Sequence, residues 1–438
     1  MPFNYITVTA SSDLFAPATR AFGDILVIGK GAIGSEGSKA RSFTYPGDAV
    51  EAYPQGRTKL TQAVVAAAQS AVTAAKLPVG SGVAIGKDGE VEVRTITEVA
   101  DAAGNTFTLT LDKKLDQAHA AEDPVVGLGL SDLAAAISMA FRQTPPPTVV
   151  WGLEVDFANP VWSEAFTAAT DIPVQIVVLA NTPLNEQPPT SHPVELLANH
   201  VTTVSNTGGD GNERIGIAML DPTLTQDEQI ALCTGAIRSN RMFLIAHEST
   251  DDVAAAVAGV IAGHEPHISL LLKPVSIKMT EHFTATEIQE YYNNSINWVA
   301  SPVLLPGQAL YLGEGLTANP SGGKKYIDVV RTLDDIGFRV KAALIQAVGD
   351  LRIDRPGLRT VVTLVQSVLS PLVTRGVIES YAIHIPLLVL LERERATLSA
   401  DELEQISQGR SGRNVDMEVS VVYAGVIHQI AVKLVLKG

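Results

Sequence analysis

Between residues 131 and 262, short apolar runs alternate with stretches of helical periodicity. The runs are VVWGLEV at 149–155, PVQIVVLA at 173–180, IGIAML at 215–220 and MFLIA at 242–246. Each is apolar almost throughout rather than at alternate positions, as expected of strands buried on both faces. The segments around them, 131–141, 162–170, 194–204, 225–237 and 251–262, carry apolar residues at helical spacing. Ser131 is placed to cap the first of these, and the prolines at 145–147 end it. Strands separated by such helices predict a parallel or mixed sheet covered on both faces. DILVI at 24–28 adds a further buried strand.

Elsewhere the pattern changes. Residues 3–10 predict a short strand and 11–22 a linker. Leu60, Val64, Ala67 or Ala68, and Ala71 or Val72 predict a helix over 58–75. VAIG, VEVRTITEV and TFTLTL alternate with period two over 79–127 and are separated by turn residues, which predicts a small antiparallel insert. Beyond 300 the expected elements are a strand at 307–312, an amphipathic helix at 326–348 and a helix from Pro356 to about 374. Pro371 should kink or shorten that helix, and Gly376 ends it. A strand over 380–391, a polar helix over 399–408, a break at 409–414 and strands at 417–423 and 426–436 complete the chain. The fold class is therefore α/β, mixed and multidomain. The expected partition is an N-terminal arm at 1–22, an α/β domain at 23–78 and 128–300, the insert at 79–127, a C-terminal assembly domain at 301–414 and a C-terminal β arm at 415–438.

Composition narrows the functional classes. The 438 residues carry a net charge of −15, which disfavours general binding to nucleic acid or anionic membrane. The charge is uneven: residues 324–438 hold 15 basic and 13 acidic side chains, the preceding 323 hold 17 and 34. One cysteine, Cys233, is incompatible with an intrachain disulfide framework or a zinc ribbon. The N-terminus shows no secretory pattern and no run of about 18 apolar residues occurs, so the expectation is a soluble protein made in the cytoplasm.

Several motifs suggest chemistry without completing it. Gly29, Gly31 and Gly34 fit G-x-G-x-x-G after a strand, but the residues that follow do not form a helix pattern, and no acidic residue ends a second strand at the expected distance. The set His264, Glu265, His267, Glu281 and His282 is interrupted by Pro266 and fits no standard metal spacing. Asp210 to Glu213 lacks EF-hand spacing, no G-x-S-x-G elbow occurs, and Cys233 lies within an expected helix as a core thiol. No catalytic, cofactor-binding or metal residue is assigned. The alternatives are a nucleotide-dependent α/β enzyme built on 131–262, which needs phosphate-binding glycines at a helix start, and another self-assembling structural protein.

Four segments carry a resemblance. EIQEYYNNSINW at 287–298 is similar to a segment ending in G-V-N before a strand, with Ser295 where glycine is usual. KKYIDVVRTLDDI at 324–336 resembles a Y-I-x-V-x-R-x-x-D-x-I helix, GVIESY at 376–381 a G-x-I-x-x-Y helix-to-strand step, and 417–436 a terminal hairpin. In this order they resemble the contractile tail sheath proteins of phages, pyocins and contractile injection systems, well over 285–438 and more loosely over 20–75. The usual G-V-x-x-x-E opening is missing from the N-terminus. The resemblance implies a subtilisin-like middle domain without proteolysis, and extended terminal β arms. It implies rings of six subunits stacked helically on an inner tube, whose triggered contraction drives the tube through a target envelope. The implied partners are the chain itself, the tube, and baseplate and tail terminator proteins. The implied protein is not an enzyme, has no cofactor, and has no nucleic acid or membrane insertion. It is made in the host cytoplasm and assembled into a tail or injection particle.

From the residues, strands carried on linkers can complete a neighbour's sheet. Tyr5, Ile6, Val8, Val419, Val421, Ile430, Val432, Leu434 and Leu436 are the expected intersubunit strand positions. Arg393, Arg395, Arg410 and Arg413, in the more basic last quarter, are the expected tube contacts.

Overall fold

A computed structural model describes residues 23–425, apart from 32–38, 88, 105, 157–159, 188–190, 208–210, 280, 303–304, 306–308, 320–323 and 346. The expected strands at 3–10 and 426–436, with Tyr5, Ile6, Val8, Ile430, Val432, Leu434 and Leu436, lie outside the described residues. The chain divides into two compact units, one over residues 22–330 and one built on residues from 331 onward.

The first unit opens with β1 (Ile25–Gly31), β2 (Arg41–Phe43) and α1 (Pro46–Ala52). Six strands follow: β3 (Pro54–Lys59), β4 (Ser70–Thr73), β5 (Gly82–Ile85), β6 (Glu92–Ala102), β7 (Thr106–Leu111) and β8 (Pro124–Leu130). Helices and strands then alternate through α2 (Asp132–Phe141), β9 (Val150–Asp156), α3 (Trp162–Ala169), β10 (Ile176–Leu179), α4 (Pro193–Asn206), β11 (Ile215–Met219), α5 (Gln226–Leu232), β12 (Met242–Ala246) and α6 (Val253–Gly263). β13 (Pro274–Val275), α7 (Ala285–Asn293), β14 (Asn297–Ala300) and β15 (Leu310–Leu312) close the unit.

A nine-stranded sheet forms the centre, in the order β13-β15-β14-β12-β11-β10-β1-β9-β2. The six strands from β14 to β9 are parallel, and β2, β15 and β13 add antiparallel edges. β1 is central and pairs with both β9 and β10. Ile25 and Val27 face one core with α2 and α6, while Leu26 and Ile28 face the other with α3 and α4. Burying each such aliphatic side chain is worth about 1.5–3 kcal/mol, so a strand apolar on both faces is stable only between two helical layers. Close packing explains glycines here. A Cβ on Gly29 would come within 2.6 Å of Ala180 Cβ, and one on Gly259 within 2.3 Å of the Ala140 carbonyl oxygen. Ser131 caps α2 through the Ala134 amide, and its hydroxyl also donates to the Tyr53 carbonyl, tying the helix to the end of α1.

The expected helix over 58–75 is not formed. Leu60, Val64 and Ala71 are buried as expected, but Leu60 and Val64 lie in the loop after β3, where they bridge Thr73 and His119, and Ala71 lies in β4. Ala67, at φ 67°, breaks any helical path. Helical spacing of alanines and valines here reflects successive turns of a β module. The six-stranded antiparallel sheet, in the order β3-β8-β5-β6-β7-β4, therefore spans Pro54 to Leu130 rather than beginning at 79.

Under this sheet lies a buried polar knot. The Glu92 carboxylate accepts the Asp116 and Gln117 amides at 2.7 Å each, contacts His119 Nε2 at 3.1 Å and is ion-paired with Arg94. Desolvation alone would raise the Glu92 pKa. The two amides, His119 and Arg94 outweigh it and hold the carboxyl below its ordinary range. A depressed carboxylate pKa stabilises the fold above the unfolded-state value and loses that contribution as pH falls through the folded value. The insert should therefore loosen on acidification below the ordinary carboxylate range, and Glu92→Gln should flatten that dependence while lowering stability at pH 7. Acid titration followed by circular dichroism checks both.

Arg214 is the largest fully buried side chain of the first unit. Its guanidinium donates to the carbonyls of Ala169 (2.9 Å), Ile172 (3.1 Å), Thr170 (3.3 Å) and Asn212 (3.1 Å), and lies 3.2 Å from His200 Nε2. It thereby satisfies the carbonyl end of α3. Burial, and then the Arg214 charge, pull the His200 pKa down to about 4, so this imidazole is neutral. Arg214→Ala should cost at least about 3 kcal/mol in urea denaturation, because several buried carbonyls lose their donor together.

Candidate assembly interface

The second unit contains α8 (Ile327–Ile345), α9 (Arg355–Thr374), β16 (Ile378–His384), α10 (Pro386–Glu392), α11 (Ala400–Gly412) and β17 (Glu418–Tyr423). The first turn of α8, with Ile327 and Val330, belongs to the core of the first unit. Ile336, Val365, Leu369, Leu372 and Ile378 form the core of the second.

Two sequence expectations fail here for identifiable reasons. The strand expected over 380–391 stops at His384, because Pro386 opens α10; its fixed φ and missing N–H suit the first helical turn. The polar break expected at 409–414 is mostly helix. α11 continues through Gly409 to Gly412, and Arg413 ends it at φ 52°. α9 runs through Pro371 to Thr374, and Gly376 at φ 70° turns the chain into β16.

β16 and β17 form a two-stranded antiparallel ribbon pairing Tyr381 with Val421 and Ile383 with Val419. Val419 and Val421, expected to serve a neighbour's sheet, pack with Tyr381 and Ile383 on the core of their own unit. Among the described residues the ribbon's outer edges have no strand partner. An unpaired edge is a template for another strand.

The four expected tube-contact arginines lie on and beside a helical pair, α10 with α11. Arg393 is ion-paired with Glu402 and donates to the Thr397 carbonyl at 2.9 Å. Arg410 donates from Nε to the Ile353 carbonyl at 3.2 Å. Arg393, Arg395 and Arg410 line one groove of about 590 Å³, whose other walls are Leu390, Leu398 and Leu403 among aliphatic and serine residues, with no carboxylate. Arg413 is not in its lining. α10 itself has no buried residue although five of its seven are Leu or Val.

The candidate chemistry of the first unit resolves into packing. Gly29 and Gly31 are residues of β1, and Gly34 lies outside the described residues. Cys233 is buried, its thiol pushed up to about 12 mainly by desolvation, which leaves it protonated. His264 Nδ1 contacts the Val260 carbonyl at 2.8 Å. Among the described residues no three His, Cys, Asp or Glu side chains gather in a way that fits a metal ion. Arg355–Thr374 is long and apolar enough by composition to cross a membrane, but its Val365, Leu369 and Leu372 stripe serves the core of the second unit.

No family model matches the chain, and no curated protein does. Solved structures do. A chain of the anti-feeding prophage helical sheath in its contracted state superposes with a TM-score of 0.58 at 10% identity, over 99% of both chains. The chain has a contractile tail sheath fold. A chain of the anti-feeding prophage baseplate matches with a TM-score of 0.57 at 12% identity, covering 100% of this chain and 99% of that one. A chain of an extracellular contractile injection system, the PVC sheath complex in its contracted state, matches with a TM-score of 0.50 at 13% identity, over 69% and 80%.

Within the sheath fold, the motifs that carried the resemblance have physical roles. Ser295 adopts φ 55°, the left-handed region that favours glycine, the usual residue there. Asn297 is wholly buried. It donates to the Leu244 and Leu316 carbonyls and accepts the Leu316 amide at 2.7 Å, stitching β14 beside β12 to the chain after β15. Asp328, Arg331 and Thr332 are buried polar residues of α8. These residues act as folding determinants.

The two faces of β17 make a paired prediction. Val421→Asp should destabilise the protein by about 2 kcal/mol, because it puts a carboxylate against the core of the second unit. Val422→Asp, on the exposed face at 49% exposure, should leave the melting temperature within error. Thermal denaturation of the two variants checks this.

Proposed function

We propose that the protein is the sheath subunit of a contractile tail or injection particle, a structural part rather than an enzyme. The match over the full length to a chain of a helical sheath carries this reading. Subunits would stack as rings of six around an inner tube, capped by baseplate and terminator proteins, and contraction would drive the tube through a target envelope. A fold shared with assembly proteins, apolar surface on α10 and ribbon edges without a strand partner among the described residues all support an oligomeric end state.

The terminal segments 3–10 and 426–436 are the proposed connectors, each adding a strand to an outer edge of a neighbour's β16–β17 ribbon. Arg393, Arg395, Arg410 and Arg413 are the proposed contacts with an acidic partner of the assembly. A strand carried on a linker lets neighbouring subunits rearrange while staying connected, and bistable packing at interfaces is a general route to large switching motions.

Negative-stain microscopy of concentrated protein tests the assembly itself: tubes or stacked rings are expected, and uniformly dispersed particles at every concentration would count against it. Removing residues 426–438 leaves the described β16–β17 ribbon intact. The truncated protein should fold with unchanged circular dichroism and melting temperature yet fail to form long tubes. Full-length tubes from this variant would sink the connector assignment.

A further inference from the structure

The basic groove between α10 and α11 calls for an acidic occupant, and one surface of this same chain has the matching chemistry. Residues 143–213 contain eight Asp and Glu and no Lys or Arg. Within that stretch Val161, Glu164, Ala168 and Asp171 are all exposed. Glu164 and Ala168 lie one turn apart on α3, with Val161 at its N-cap and Asp171 one residue beyond the C-cap Thr170. Aliphatic and carboxylate groups therefore alternate along the exposed side of this short helix and its two ends. Val161 is 49% exposed, unusual for a valine at the start of a helix whose other face is core. Among the described residues neither the Glu164 nor the Asp171 carboxylate has a hydrogen-bond or ion-pair partner, and neither does the Arg395 guanidinium.

We infer that the α10–α11 groove of one subunit receives the α3 stripe of a second copy, with Glu164 and Asp171 meeting Arg395 and Arg410 and the aliphatic residues meeting Leu390, Leu398 and Leu403. This rests on the proposal that the chain assembles with itself. A groove meeting a different surface on the next copy is a heterologous contact, which propagates rather than closing on itself. Charge complementarity selects the occupant: the groove lining presents three guanidiniums and no carboxylate, whereas the stripe lies in a stretch free of basic residues. Arg393 is partly neutralised by Glu402, so Arg395 carries the largest share of the unmet charge. Solvent-exposed pairs of this kind weaken with salt, and so should the contact.

Charge reversal and rescue test the inference in the full-length protein. Arg395→Glu and Glu164→Arg each alter an exposed side chain without a partner, so both should fold normally by circular dichroism. Each alone should raise the concentration needed for assembly at least tenfold, read by sedimentation velocity and negative-stain microscopy at 0.1 M salt. An equimolar mixture of the two variants should recover assembly through contacts between unlike copies, whose charges are complementary in either direction, and the double variant, complementary at every contact, should recover it more fully. Glu98→Arg, an exposed acid on β6, should have no effect. Unchanged assembly in both single variants, or no recovery in the double variant, overturns the assignment. If Arg395→Glu leaves tube-free assembly unchanged but abolishes capture by the inner tube, the groove belongs to the tube instead. Wild-type protein that stays dispersed at all concentrations would overturn self-assembly itself, a result distinct from failure of this contact.

Discussion

Ile25 to Ile28 in β1 expose nothing to water, and that burial governs the whole first unit. A strand with both faces apolar and both edges bonded must lie between two sheet neighbours and two helical layers. β9 and β10 supply the edges, α2 and α6 one layer, α3 and α4 the other. The same demand keeps charged side chains out of the interior. Where one is admitted, as with Arg214 or Glu92, each donor and acceptor has to find a partner in the loops that the sheet positions. The cost of leaving such groups unpaired explains why these buried polar residues hold structure together.

This division also accounts for what could be read from sequence. Runs such as IVVL and MFLIA are apolar at every position, and only a doubly covered strand tolerates that, so the central sheet was legible. The alternation in VEVRTITEV marked a strand but not its inward face: Val91 and Val93 are exposed, whereas Glu92 and Ile96 are buried. The helix expected over 58–75 failed because alanine and valine fit helical spacing and β packing alike, and what separates them is the long-range partner, Thr73 or His119, that sequence spacing does not reveal. The end of β16 was marked by Pro386 and could have been placed from that residue alone.

For the assembly interface the balance is different. The four arginines were visible as a local excess of charge, but whether each is free depends on contacts such as Glu402 with Arg393, nine residues away. The groove itself has no signature, since it arises where two short helices leave a gap. The glycine-like position of Ser295 and the buried Asn297 were legible only as family pattern. Their reasons, a left-handed backbone and a three-bond stitch, are tertiary.

The absence of basic residues between Arg142 and Arg214 has a practical side. Trypsin finds no site in that interval even in the unfolded chain, and amine-reactive cross-linkers find no lysine. The segment from β9 to the start of β11, including the α3 stripe, is thus silent to two of the commonest chemical probes of assembled particles. Acidic-residue proteases or carboxylate-directed coupling would see it, and a surface map built on lysine chemistry alone would leave this side of the subunit blank.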